Sequence, residues 1–87
     1  MKWRVVLSRK AAKDAKKLAR AGLRPPAEEL LLLLQIDPLA MPPRFEKLVG
    51  NLTGYYSRRI NIQHRMVYSI DEDQRVVHVL RMWTHYE

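Results

Sequence analysis

All five prolines of this chain fall between positions 25 and 43, and the last three lie in the stretch DPLAMPP, residues 37–43. Asp37-Pro38 stops any helix arriving from the N-terminal side, because the residue before a proline is driven out of the α region. Residues 38–43 then make a stiff connector that is neither helix nor regular strand. The chain is thereby cut into two parts that obey different periodicities.

Upstream of the cut, Trp3, Val5 and Leu7 alternate with Lys2, Arg4 and Val6, the pattern of a strand. Ser8 can cap a helix in which Ala11, Ala12, Ala15, Leu18 and Ala19 fall at helical spacing, with Lys10, Lys13, Lys17 and Arg20 opposite. Gly22 supplies its C′ terminator. Pro25 and Pro26 begin a second helix where a missing N–H costs nothing, with Glu28 and Glu29 assigned to its first turn. Leu30–Leu34 with Ile36 is apolar all round, so this is expected to be the more buried helix.

Downstream, residues 45–49, 55–60, 64–70 and 75–84 read as strands, separated by turn chemistry at Gly50-Asn51, a tight link at 61–63 and a polar turn at 71–74. The order is β-α-α-β-β-β-β. The expected fold is α+β, a single domain over residues 1–87: one twisted, mainly antiparallel sheet with both helices on one face.

Charge narrows the function. Sixteen Lys and Arg against nine Asp and Glu give +7, which favours a polyanionic partner. Residues 44–65 place Arg44, Lys47, Arg58, Arg59 and Arg65 around a single acid, Glu46, within strands. The absence of cysteine excludes disulfides, thiolate nucleophiles and Cys-ligated metals. Three scattered histidines make a poor metal site, so no metal or other cofactor is expected. The charged N-terminus offers no signal-peptide core, and the longest apolar run, Leu30–Leu34, is far too short to span a bilayer. The expected setting is cytoplasmic, without a membrane partner.

Side chains alternate across a strand. Tyr55, Ser57 and Arg59 share one face; Arg65, Val67 and Ser69 share one; so do Val77, Val79, Arg81, Trp83 and His85. The opposite sets, Met66, Tyr68 and Ile70 with Val76, Leu80 and Met82, are left to pack the helices. On this count Arg59, Arg65 and Arg81 converge on the helix-free side, where they repel one another unless an anion joins them. Guanidinium favours bidentate contact with phosphate. Glu46 and His85 add a carboxylate and an imidazole. Such a set suffices to cut RNA without metal: a base takes the ribose 2′-OH proton, the oxygen attacks the adjacent phosphate, an acid protonates the leaving 5′-oxygen, and cations stabilise the charge on phosphorus.

The stretches EKLVGNLTGYYSRRI (46–60), HRMVY (64–68) and THYE (84–87) resemble the YoeB/Txe-type toxins of the RelE superfamily. The resemblance is close over the C-terminal half, and the β-α-α-β start agrees with that fold. It implies a small RNase of a bacterial type II toxin–antitoxin module that binds the ribosomal A site and cuts mRNA there. By motif position it makes Glu46 the general base, His85 the general acid and Arg65 the holder of the scissile phosphate. Lys47 and Arg59 would grip the RNA backbone, Tyr86 would shape the site beside His85, and Arg81 joins the RNA-binding set. The implied partners are the ribosome and mRNA, a cognate antitoxin with a flexible acidic C-terminal segment, and a second copy of the chain.

Each residue also has a plainer reading. Arg65 could form a structural salt bridge to Glu46. Arg58, pointing opposite to Arg59, could bridge a surface acid. His64 and His78 read as structural histidines, Ser57 as a sheet hydroxyl, and Tyr55 and Tyr56 as base-stacking or sheet-packing rings in equal measure. The competing function is a non-catalytic RNA- or ribosome-binding module using the same basic face. A DNA-binding repressor ranks last, for want of a recognition helix.

Overall fold

The computed structural model describes residues 2–83 of the 87. Among them are β1 (Arg4–Leu7), α1 (Arg9–Arg20), α2 (Arg24–Ile36), β2 (Phe45–Lys47), a 3-10 turn (Gly50–Leu52), β3 (Tyr55–Arg59), β4 (Arg65–Asp71) and β5 (Val76–Arg81). His85 and Tyr86 lie outside the described residues.

The strands form one sheet in the order β1-β5-β4-β3-β2. β2, β3, β4 and β5 run antiparallel to one another in succession, as short links allow. β1 alone is parallel to its neighbour, Arg4 opposite Val76 and Leu7 opposite Val79, because the two helices carry the chain back before the second strand begins. Both helices pack on one face. Ala11, Leu18, Ala27, Leu30 and Leu34 meet Ile60, Met66, Tyr68, Val77, Val79 and Met82 in one core.

α1 begins where its cap chemistry predicts. The Ser8 hydroxyl accepts from the Ala11 N–H at 2.9 Å and donates to the Leu80 carbonyl at 2.7 Å, so one side chain caps the helix and fastens it to β5. Gly22, at φ 78°, takes the left-handed conformation that ends the helix. α2 starts at Arg24, one residue before the prolines, so Glu28 and Glu29 lie beyond the first turn; Glu28 pairs instead with Arg24 at 2.8 Å. Its apolar run does not make a fully buried helix. Ala27, Leu30 and Leu34 are buried while Leu32 and Ile36 are exposed, since among the described residues no element packs on the face turned from the sheet.

β5 corrects the expected alternation. Val77 opposes Ile70 and Val79 opposes Tyr68, so both valines belong to the helix-side core. The register shifts at Val67/Tyr68, where β5 carries one extra residue, Leu80, before Arg81 opposes Val67. A bulge of this kind cancels simple even–odd counting along the strand.

Candidate active site

Pairing across three strands assembles the site. β2 sets Glu46 opposite Ser57 of β3, and β3 sets Ser57 opposite Val67 and Arg59 opposite Arg65 of β4. Arg65 reaches across this row. Its Nη1 donates to Glu46 Oε1 at 2.6 Å and to the Ser57 hydroxyl at 3.2 Å. Both contacts use one nitrogen of a group that carries five N–H donors. Around the pair opens a cleft of about 280 Å³, lined by Pro43, Arg44, Glu46, Ser57, Arg59 and Arg65. The Glu46 side chain is 47% exposed and that of Arg65 is 19% exposed, so the carboxylate sits at the rim and the guanidinium at the floor.

The cleft can therefore do two things. It presents a carboxylate to solvent beside a guanidinium, a group type suited to phosphate, and it gathers Arg44 and Arg59 into the same lining. The salt bridge considered for Glu46 and Arg65 exists, and it fixes both groups in the same cleft. Lys47 is the next residue of β2; it is exposed and lies outside the cleft lining. Arg44 was legible only as a neighbouring charge. Its parity with Glu46 is the signal that puts both on one side of the chain.

Arg81 does not converge with Arg59 and Arg65. Its Nε donates to Asp14 Oδ2 of α1 at 2.8 Å, and Nη2 lies 3.4 Å from Oδ1. β5 ends at Arg81, opposite Val67, and there Asp14 of α1 engages the side chain. Asp14 is 2% exposed and also accepts the Met82 N–H at 3.0 Å. Burial pushes the Asp14 carboxyl upward, but the Arg81 hydrogen bond, the Met82 and Trp83 N–H groups and the Arg81 charge outweigh it and hold it below the ordinary value.

Arg58 is likewise not a surface bridge. It is completely buried on the helix side of β3, bonded to Tyr68 and to the connector. His64 is buried and stacks on Trp83 with ring centroids 4.0 Å apart, a structural role as its parity with Met66 implied. His78 is exposed. Ser57 is 1% exposed and receives Arg65, so the sheet hydroxyl helps aim the guanidinium. Tyr56 packs between Phe45 and Tyr68, while Tyr55 stays half-buried.

Among the described residues no group of three or more His, Asp or Glu is placed to hold a metal, and no helix is long and apolar enough to cross a membrane.

Comparison with known proteins places the chain in a family. The family model described as "YoeB-like toxin of bacterial type II toxin-antitoxin system" matches residues 8–86. A "Toxin YoeB" of Mycobacterium bovis is 42% identical over 53 residues, which is 61% of this chain and 60% of that relative. The YoeB dimer from Staphylococcus aureus superposes with a TM-score of 0.82 at 32% identity, covering 99% of this chain and 100% of that one. The YoeB-YefM complex from the same organism gives 0.78 at 32% identity, again over 99% and 100%. The sheet order, the helix-covered face and the match over nearly the whole length lead to one conclusion: the chain belongs to the YoeB-like toxins of bacterial type II toxin–antitoxin systems.

Proposed function

We propose that this protein is the toxin of a type II module and a metal-independent endoribonuclease that cuts mRNA in the ribosomal A site. The observation that carries the reading is the Glu46–Arg65 contact of 2.6 Å inside a cleft also lined by Arg44 and Arg59. A phosphate oxygen held by Arg65 brings the 2′-OH of its own ribose within reach of Glu46. Glu46 takes that proton, O2′ attacks phosphorus, and the 5′-oxygen leaves with a proton from His85, producing a cyclic phosphate and a new 5′-OH end. Arg65, Arg59 and Arg44 stabilise the charge that builds on the phosphate oxygens. Lys47 and Tyr86 extend the grip on the RNA.

For His85, which lies outside the described residues, the support is its position in the terminal motif of the family. His85 lies two residues past Trp83, within the segment that the family model matches. Arg81 takes no part in RNA contact in this scheme, since Asp14 engages it. The assembly of Staphylococcus aureus YoeB with YefM and its dimer supply the partners by analogy: a cognate antitoxin, whose acidic segment would complement the +7 charge, and a second copy, in the cytoplasm.

The test is induced expression, with growth followed and mRNA ends mapped by primer extension against the reading frame. The wild type arrests growth and leaves cuts in phase with codons. Glu46→Gln and His85→Gln lose the cuts by at least about a hundredfold while still binding ribosomes. Arrest without cuts would favour the binding module; cuts persisting in both variants would overturn the acid–base assignment.

A further inference from the structure

Arg58 is the most costly side chain in the core. It is 0% exposed, and the ion pairs among the described residues do not include it. A buried guanidinium without a carboxylate is tolerated only when its donors are satisfied in another way. Here each nitrogen has its own partner. Nε donates to the Tyr68 hydroxyl at 2.8 Å, Nη2 to the Pro38 carbonyl at 2.9 Å, and Nη1 to the Pro43 carbonyl. The Phe45 ring lies over its carbon, 4.9 Å from the centroid. Tyr68 in turn donates to the Pro38 carbonyl at 3.1 Å. Burial raises the Tyr68 phenol above its ordinary value despite the charge of Arg58, so it remains a neutral donor.

These contacts fall in a pattern. Pro38 and Pro43 are the two ends of the stiff connector, so one guanidinium ties both. Arg58 holds the Pro43 carbonyl and the Phe45 ring from the helix side, while Pro43 itself, Arg44 and Glu46 line the cleft on the other. An apolar residue would fill the same volume without the burden of a charge, but it could not hold two carbonyls and a phenol in diverging directions. Lysine has three donors, but on a single nitrogen that cannot reach three partners spaced to suit Nε, Nη1 and Nη2.

We propose that Arg58 is a positioning residue for the cleavage site. It pins the segment 38–45 to the sheet and so fixes Glu46 and Arg44 against Arg65. The inference rests on the catalytic reading of Glu46 given above. It separates chemistry from binding. Ribosome association depends on summed charge and tolerates a shift of the segment, whereas proton transfer from a 2′-OH does not.

The experiment measures kcat and KM for cleavage on programmed ribosomes, with folding checked by circular dichroism and thermal melting. Arg58→Lys keeps the charge and loses the divergent contacts; Tyr68→Phe keeps Arg58 but removes one of its anchors. Glu46→Gln is the reference. The expected result is a fall in kcat of about 10–100-fold for Arg58→Lys and roughly 3–10-fold for Tyr68→Phe, with KM within about twofold of wild type. Wild-type kcat in either folded variant, or a loss confined to KM, overturns the inference. If Arg58→Lys does not fold, Tyr68→Phe decides on the same terms. A fully active Glu46→Gln is the distinct signature that the catalytic reading itself has failed.

Discussion

Asp14 is the one acid among the first 24 residues, and it is buried. With Ala11 and Leu18 it occupies the stripe of α1 that faces the sheet. There it accepts from Arg81 and from the Met82 N–H, tying α1 to the end of β5. Because its folded-state pKa is held below the ordinary value of about 3.9, the pairing stabilises the fold fully above that value and is lost as pH falls through the folded pKa. Asp14→Asn keeps an acceptor but removes the α1 charge that Arg81 pairs with. It should cost about 2 kcal/mol at pH 7, read by urea unfolding, and the gap to wild type should narrow below about pH 4. A gap that is constant across that range would remove the charge from the explanation. The spacing 11, 14, 18 was visible in the sequence, yet a lone acid on a lysine-rich helix gives no sign of a partner 67 residues away.

At the scale of elements, termination chemistry explains why the helices lie where they do. Ser8 begins α1 and Gly22 ends it, both readable from local rules. The Ser8 hydroxyl does more than cap, since it also donates to Leu80 of β5. Ser8→Ala should therefore cost about 1–2 kcal/mol, at the upper end for a cap, and lower the thermal midpoint by about 5–10 °C. A shift under about 2 °C would mean that water replaces the hydroxyl at both ends. β5 was the element least legible in advance. Val76, Val77 and Val79 are apolar on both faces, so alternation cannot choose the helix side, and the extra residue at Leu80 resets the phase for Arg81. β3 carried polar markers, Ser57 and Arg59, and its facing was read correctly.

For the whole molecule the governing quantities are the net charge of +7 and the sheet order, the second of which brings Arg44, just past the connector, Arg59 of β3 and Arg65 of β4 to one open cleft. Arg59 is exposed on that cleft and serves the RNA backbone in the proposed function. Ribosome affinity should fall steeply with salt, because neutralised phosphates release counterions. Arg59→Ala should reduce the slope of log K against log salt by about one unit and weaken binding at every salt concentration. An unchanged slope in a titration by filter binding would exclude a phosphate contact at this position.

What the sequence determined by itself is what depends on near neighbours. The proline-bounded connector, the caps, the helical and alternating periods and the shared parity of Ser57 with Arg59 all act between residues close in the chain. Tertiary structure decided the rest: that β1 lies against β5, that Val77 and Val79 face the helices, and that Asp14 takes Arg81. It also decided that Arg58 is buried, holding carbonyls 15 and 20 residues away. Whether a charge is buried depends on which distant atoms can satisfy it, and those distances are set only when the sheet closes under the helices.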